Sequence, residues 1–85
     1  MDHAAVEWER TYHDNGQLRL EVPLIEKKIH GTTSLYYKNG QLHYEVPHTN
    51  GKPNGAVRWY RDDGTLYSET IWVNGQLYGS WCDEV

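Results

Sequence analysis

Three carboxylates and three phenols share one spacing. Glu21, Glu45 and Glu69 lie 24 residues apart, and so do Tyr12, Tyr36 and Tyr60. A row of carboxylates about 9.5 Å apart on one face of a sheet can dock a basic partner. Tyr and Arg are the side chains that anchor protein interfaces, because they bury much area at low entropic cost and still hydrogen-bond. The candidate partner-binding residues are therefore Tyr12, Tyr36, Tyr60 and Tyr67 as anchors, with Arg58, His43 and Glu45 setting specificity. A structural role competes for part of this set. If the chain folds back at two-residue turns, Arg10 faces Glu21 and Arg58 faces Glu69, and facing opposite charges stabilise a sheet. Glu45 then faces Ser34 and is the carboxylate freest to meet a ligand.

Other chemistries find little purchase. The only cysteine, Cys82, has no histidine near it in the expected register, and no serine sits in a Gly-x-Ser-x-Gly elbow. The glycines mark turns and do not open a helix, so no phosphate loop is expected. Five histidines are present, His3, His13, His30, His43 and His48. His43 and His48 fall on opposite faces of one strand, which counts against a metal site. No enzyme activity, metal or cofactor is expected. A net charge of −4 argues against nucleic acid as a partner, since that footprint is basic. The single cysteine favours a reducing compartment. Residues 1–8 carry no basic-then-apolar leader pattern, and no apolar run approaches the ~20 residues of a membrane span. The expected location is the cytoplasm.

The elements that must position these rows follow from the same period. Gly16, Gly40 and Gly64 share it, as do Gly31, Gly55 and Gly79, and Leu18, Leu42 and Leu66. Such a period means a stacked repeat array. Asn15-Gly16, Asn39-Gly40, Asp63-Gly64, Asn50-Gly51 and Asn74-Gly75 are favoured pairs for two-residue type I′ hairpin turns. Glu26-Lys27 takes the matching place in the first repeat and predicts a longer or irregular turn there. The expected fold is all-β: an antiparallel meander of stacked hairpins, a single curled sheet of about seven strands. It forms one domain over 1–85, with repeats near 8–31, 32–55 and 56–79 and a C-terminal strand at 80–85. Two-residue turns pair Tyr37 with Leu42, Leu35 with Tyr44, Tyr44 with Val57 and Ser68 with Trp81. They place Tyr12, Tyr36 and Tyr60 opposite Arg19, His43 and Tyr67. One face collects Leu20, Leu35, Tyr37, Tyr44, Val46, Val57, Trp59, Trp72, Leu77 and Trp81, among others, as the core side. Nothing in the chain can cover that face, so curling and association are expected to share its burial.

The repeat reads Tyr-x-x-Asn-Gly-Gln-Leu-x-x-Glu, followed by Asn-Gly-x-x-x-Gly, most clearly over 36–55 and 60–79 and more loosely over 12–31. This resembles the MORN repeat (membrane occupation and recognition nexus), and more closely its variant in bacterial YwqK-type proteins, which are described as antitoxins. The resemblance implies a small protein-binding module. On that reading it is an antitoxin, an immunity-type protein or an inhibitor, which neutralises a toxin or host effector by occluding its surface. The alternatives are a membrane-surface or lipid-headgroup module and a structural homo-oligomer. Scattered basic residues outnumbered by acidic ones count against the membrane, while a homodimer through the strand edges or the apolar face stays open.

Overall fold

In a computed structural model, residues 5–82 are described. Nine strands form one sheet: β1 Glu7–Tyr12, β2 Leu18–Ile25, β3 Lys28–Ile29, β4 Gly31–Tyr36, β5 Leu42–Thr49, β6 Lys52–Pro53, β7 Gly55–Tyr60, β8 Leu66–Val73 and β9 Gln76–Cys82. The order is β1-β2-β4-β5-β7-β8-β9, with β3 attached to β2 and β6 to β5. Every pairing is antiparallel. The seven strands of this path are the expected meander, and β3 and β6 are two-residue stubs that complete hairpins. Of the expected C-terminal strand at 80–85, residues 83–85 lie outside the described residues, as does His3.

The two rims of the sheet carry two kinds of turn. Along one rim both central residues have positive φ: 51° and 68° at Glu26 and Lys27, 51° and 83° at Asn50 and Gly51, 49° and 85° at Asn74 and Gly75. These are the two-residue type I′ turns. Glu26-Lys27 adopts the same turn as the other two, contrary to the irregular turn expected there. Along the other rim only the glycine of each pair is left-handed, Gly16 at 89°, Gly40 at 90° and Gly64 at 92°. The Gly40 amide donates to the Tyr37 carbonyl at 3.0 Å, and the Tyr37 amide to the Gln41 carbonyl at 2.8 Å. This is a three-residue loop, a type I turn closed by a left-handed glycine. The preceding Asn or Asp fixes it. Its side-chain oxygen accepts the amide two residues on, at 3.0 Å from Gln17, 2.9 Å from Gln41 and 2.9 Å from Thr65.

The extra loop residue changes the register. Tyr12 pairs with Leu18, Tyr36 with Leu42 and Tyr60 with Leu66, and Arg19, His43 and Tyr67 become the additional residues of β-bulges. The expected facing of Tyr12, Tyr36 and Tyr60 with Arg19, His43 and Tyr67, and of Tyr37 with Leu42, is therefore replaced. Leu35 still faces Tyr44. At the opposite rim β2 pairs Leu24 with Ile29 but Leu20 with Leu35, and β5 pairs His48 with Pro53 but Tyr44 with Trp59. Two residues are thus inserted at His30-Gly31 and again at Asn54-Gly55. Tyr44 consequently faces Trp59 and not Val57. Gly55 shows why this column is glycine: its φ is 124°, and a Cβ there would stand 3.0 Å from Pro47 Cγ.

The third repeat lacks this device. Ile71 occupies the place of Pro23 and Pro47, and Gly79, opposite it, is not left-handed. Here the shift is one residue: Trp72 faces Leu77, Ile71 faces Gly79, and Tyr78 is left over. A one-residue shift moves everything beyond it to the other face. Trp81 therefore faces Glu69 and not Ser68, and Cys82 faces Ser68 and not Tyr67.

The sheet is one layer deep. It measures 49 × 36 × 15 Å with a radius of gyration of 14.2 Å, against roughly 12 Å for a compact domain of this length. The expected core face does not close into a core. Among the described residues Val57 is its one buried aliphatic side chain, whereas Leu66, Leu77 and Trp81 are exposed. Cohesion comes instead from contacts between successive repeats. His13 Nε2 donates to the Tyr36 carbonyl at 2.7 Å, and the Tyr37 hydroxyl to the Tyr60 carbonyl at 2.8 Å. Asn15 Nδ2 donates to the Lys38 carbonyl at 2.9 Å, and Asn39 Nδ2 to the Asp62 carbonyl at 2.8 Å. At the other rim the Gly51 and Gly75 amides donate to the Ile29 and Pro53 carbonyls. Each contact satisfies a backbone group that a turn would otherwise leave to water.

Candidate functional site

The centre of one face is a charged cluster. The pairing of Glu45 with Arg58, and of Arg58 with Glu69, sets three charged side chains in a row across β5, β7 and β8. Arg58 Nε donates to Glu69 Oε2 at 2.7 Å and Nη1 to Glu45 Oε2 at 3.5 Å. The Tyr60 hydroxyl adds a bond to the same Glu45 oxygen at 3.3 Å. Glu45, expected to be the freest carboxylate, is held by two donors. The reason is the two-residue insertion at Asn54-Gly55, which brings Arg58 across from it. Arg10 and Glu21 pair at 2.7 Å, and Arg58 and Glu69 do the same, as their register requires. The hydrogen bond to Glu69 raises the Arg58 pKa further. Burial, followed by the neighbouring Glu45, raises that of the Tyr60 phenol, which stays protonated as a donor. Beside the cluster lies a shallow concavity of about 240 Å³, lined by Thr32, Glu45, Pro47, Gly55, Ala56 and Arg58.

The other face carries an aromatic cluster. The bulge at His43 turns its ring to the side of Tyr44, 5.8 Å away between centroids, and stacks it on Tyr37 at 4.1 Å and 18°. Tyr44 meets Trp59 edge-on at 6.4 Å. Tyr37, His43, Trp59, Tyr60, Arg61 and Tyr67 line a concavity of about 330 Å³. The Arg61 guanidinium lies 5.2 Å from the centre of the Tyr67 ring, a cation–π distance. The basin is built by two equivalent bulges, one supplying His43 and the next Tyr67.

The candidate residues are therefore divided. Glu45, Arg58 and Tyr60 form the charged cluster, and His43 and Tyr67 belong to the aromatic one. Tyr60 contributes to both, through its hydroxyl to the first and as part of the lining to the second. Tyr12 stands apart on β1, 60% exposed. Tyr36 offers its carbonyl to His13. The single band of tyrosine, arginine and histidine expected on one face is corrected to two clusters on opposite faces. Tyr37, Trp59 and Arg61 join the basin, although the sequence pattern places the first two on the core face. The available signal was the position of Tyr37 and Arg61, one repeat apart and directly before a turn.

No helix among the described residues is long and apolar enough to cross a membrane. Neither the curated proteins nor the solved structures yield a match to this chain. The family model described as the MORN repeat variant matches three successive segments, 9–25, 29–52 and 53–74. These take in well over half of the sequence, and each brackets one unit of the hairpin meander described above. The chain belongs to the MORN repeat variant family.

Proposed function

We propose that this chain is a small, non-catalytic protein-binding module of the antitoxin or immunity type, which neutralises a cytoplasmic partner by covering its active surface. The observation that supports this reading is the aromatic basin. Tyr37, His43, Trp59, Tyr60 and Tyr67 line an open concavity on a sheet that no second layer covers among the described residues. Large aromatics with polar handles, left at a surface beside an arginine, have the composition of an interface centre. The basin supplies contact area, and the charged cluster behind it ties β5, β7 and β8 together. Occlusion needs only affinity and shape, which an open sheet surface can provide.

A tagged pull-down from the source cells at low and moderate salt, followed by titration calorimetry on the captured protein, tests this. One stoichiometric partner is expected, with Tyr67→Ala and His43→Ala each weakening its binding at least tenfold. Affinities within twofold of the parent for both variants would remove the basin from the interface. Flotation of the chain with anionic vesicles at physiological salt would replace the protein partner with a membrane surface.

A further inference from the structure

The two outer strands of the sheet differ. β1 carries Glu7, Glu9 and Arg10 among six residues, the charged pattern that keeps an edge from recruiting another strand. β9, Gln-Leu-Tyr-Gly-Ser-Trp-Cys, carries no charge and no proline. Its counterparts are broken into β3 plus β4 and β6 plus β7, whereas β9 runs unbroken for seven residues. Those counterparts are also covered: β4 lies between β2 and β5, and β7 between β5 and β8. β9 has one neighbour among the described residues and takes the position of an interior strand. The apolar and aromatic exposure of this edge is high, with Leu77 at 58%, Tyr78 at 82% and Trp81 at 51%.

We infer that β9 pairs with β9 of a second copy of this chain, extending the sheet across a twofold axis. Direction favours that occupant. Each strand along the path reverses its neighbour, so β1 and β9 run the same way. A second copy shifted sideways would set its β1 parallel to β9. A twofold axis normal to the sheet sets β9 antiparallel to β9 and keeps both faces aligned, in the pairing used everywhere else in the sheet. The alternative twofold, through β1, opposes the charged edge to itself. The residues also suggest the register. Gly79 and Trp81 share a face, and a Cβ at Gly79 would meet nothing within 4 Å. With Ser80 on the axis, each Trp81 lies over Gly79 of the other copy, so that the indole covers backbone that a glycine leaves bare. A single strand pair buries less than the ~1,200 Å² of a standard interface, so association is concentration-dependent. It leaves the aromatic basin and the charged cluster open, and so it stands or falls separately from the proposed function.

Sedimentation velocity on the full chain over a concentration series tests the inference. Ser80 is exposed, so Ser80→Lys leaves the fold intact while placing two ammonium groups against each other on the axis. A monomer–dimer equilibrium is expected for the parent. Its midpoint should rise at least tenfold in Ser80→Lys and stay within twofold in Thr11→Lys, a matched change on β1. In the parent dimer the two Cys82 Cα atoms would be roughly 14 Å apart, and a bismaleimide of comparable span should join them. Circular dichroism on both variants reports their folding independently. A monomer at every concentration to about a millimolar, a dimer lost in Thr11→Lys, or one indifferent to both changes would each overturn the inference.

Discussion

The first two repeats and the third obey the same 24-residue period, and three of the columns at which they differ form a set. Where the earlier repeats have His13 and Tyr37, the last has Arg61. Where they have Asn15 and Asn39, it has Asp63. Where Pro23 and Pro47 oppose left-handed Gly31 and Gly55, Ile71 opposes a Gly79 that is not left-handed. At the first two columns the earlier side chain reaches a carbonyl 23 residues ahead. At the third the proline packs against the glycine that opens the following strand. At all three the partner belongs to the next matched segment, 29–52 or 53–74. Asp63 has the same oxygen for its own turn as Asn39 but no amide nitrogen to send forward. The repeat consensus therefore encodes two things, the closing of a turn and the joining of one repeat to its successor, and the last repeat retains the first.

Three sets of substitutions would break or sharpen this contrast. Gly55→Ala forces a Cβ against Pro47 at a backbone angle that L-residues avoid, and should destabilise the chain by about 2–3 kcal/mol. Gly79→Ala, in open space at the same column, should lie within about 0.5 kcal/mol of the parent. Urea denaturation of both variants makes the comparison, and equal losses would show that the joint is not where the glycine matters. The second change works in the opposite direction. Glu26 and Lys27 hold left-handed angles without the help of an Asn-Gly pair, a conformation costing roughly 1–2 kcal/mol per residue. Glu26→Asn with Lys27→Gly should raise stability by about 1–2 kcal/mol, read as a higher urea midpoint at unchanged slope. The third and smallest concerns the forward bond alone. Asn39→Asp keeps the turn but deletes the donor to the Asp62 carbonyl, and should cost about 1 kcal/mol. The converse Asp63→Asn should cost nothing measurable. A loss in Asp63→Asn comparable to that in Asn39→Asp would dissolve the distinction between turn closing and joining.

Much of this was legible in the residues. The period gave the meander, Asn50-Gly51 and Asn74-Gly75 gave their turns, and the Arg10–Glu21 and Arg58–Glu69 pairs formed as their register demanded. The remainder was hidden because Asn-Gly serves two kinds of hairpin. It can fill both central positions of a two-residue loop or close a three-residue one. The choice depends on whether the Asn is left-handed itself or caps the turn with its side chain. One residue of loop length separates His43 facing Tyr36 from His43 stacked on Tyr37, and so decided the composition of the candidate site. The insertion at Asn54-Gly55 was equally silent. Its mark, a glycine column opposite prolines, read as periodicity and not as a demand for a special backbone angle. The same insertion brings Arg58 opposite Glu45, which the turn pairs alone leave free.

A sheet 15 Å thick with almost nothing buried redistributes where the chain can tolerate change. In a domain with an interior, random substitution is punished at the centre and forgiven at the periphery. Here the strand centres are half-open on both sides, and the turns and their forward bonds lie along the perimeter. Substitution should be forgiven across the middle of the sheet and punished along its two rims. Such a chain is free to rewrite its flat faces, where a partner would be recognised, without rewriting its fold.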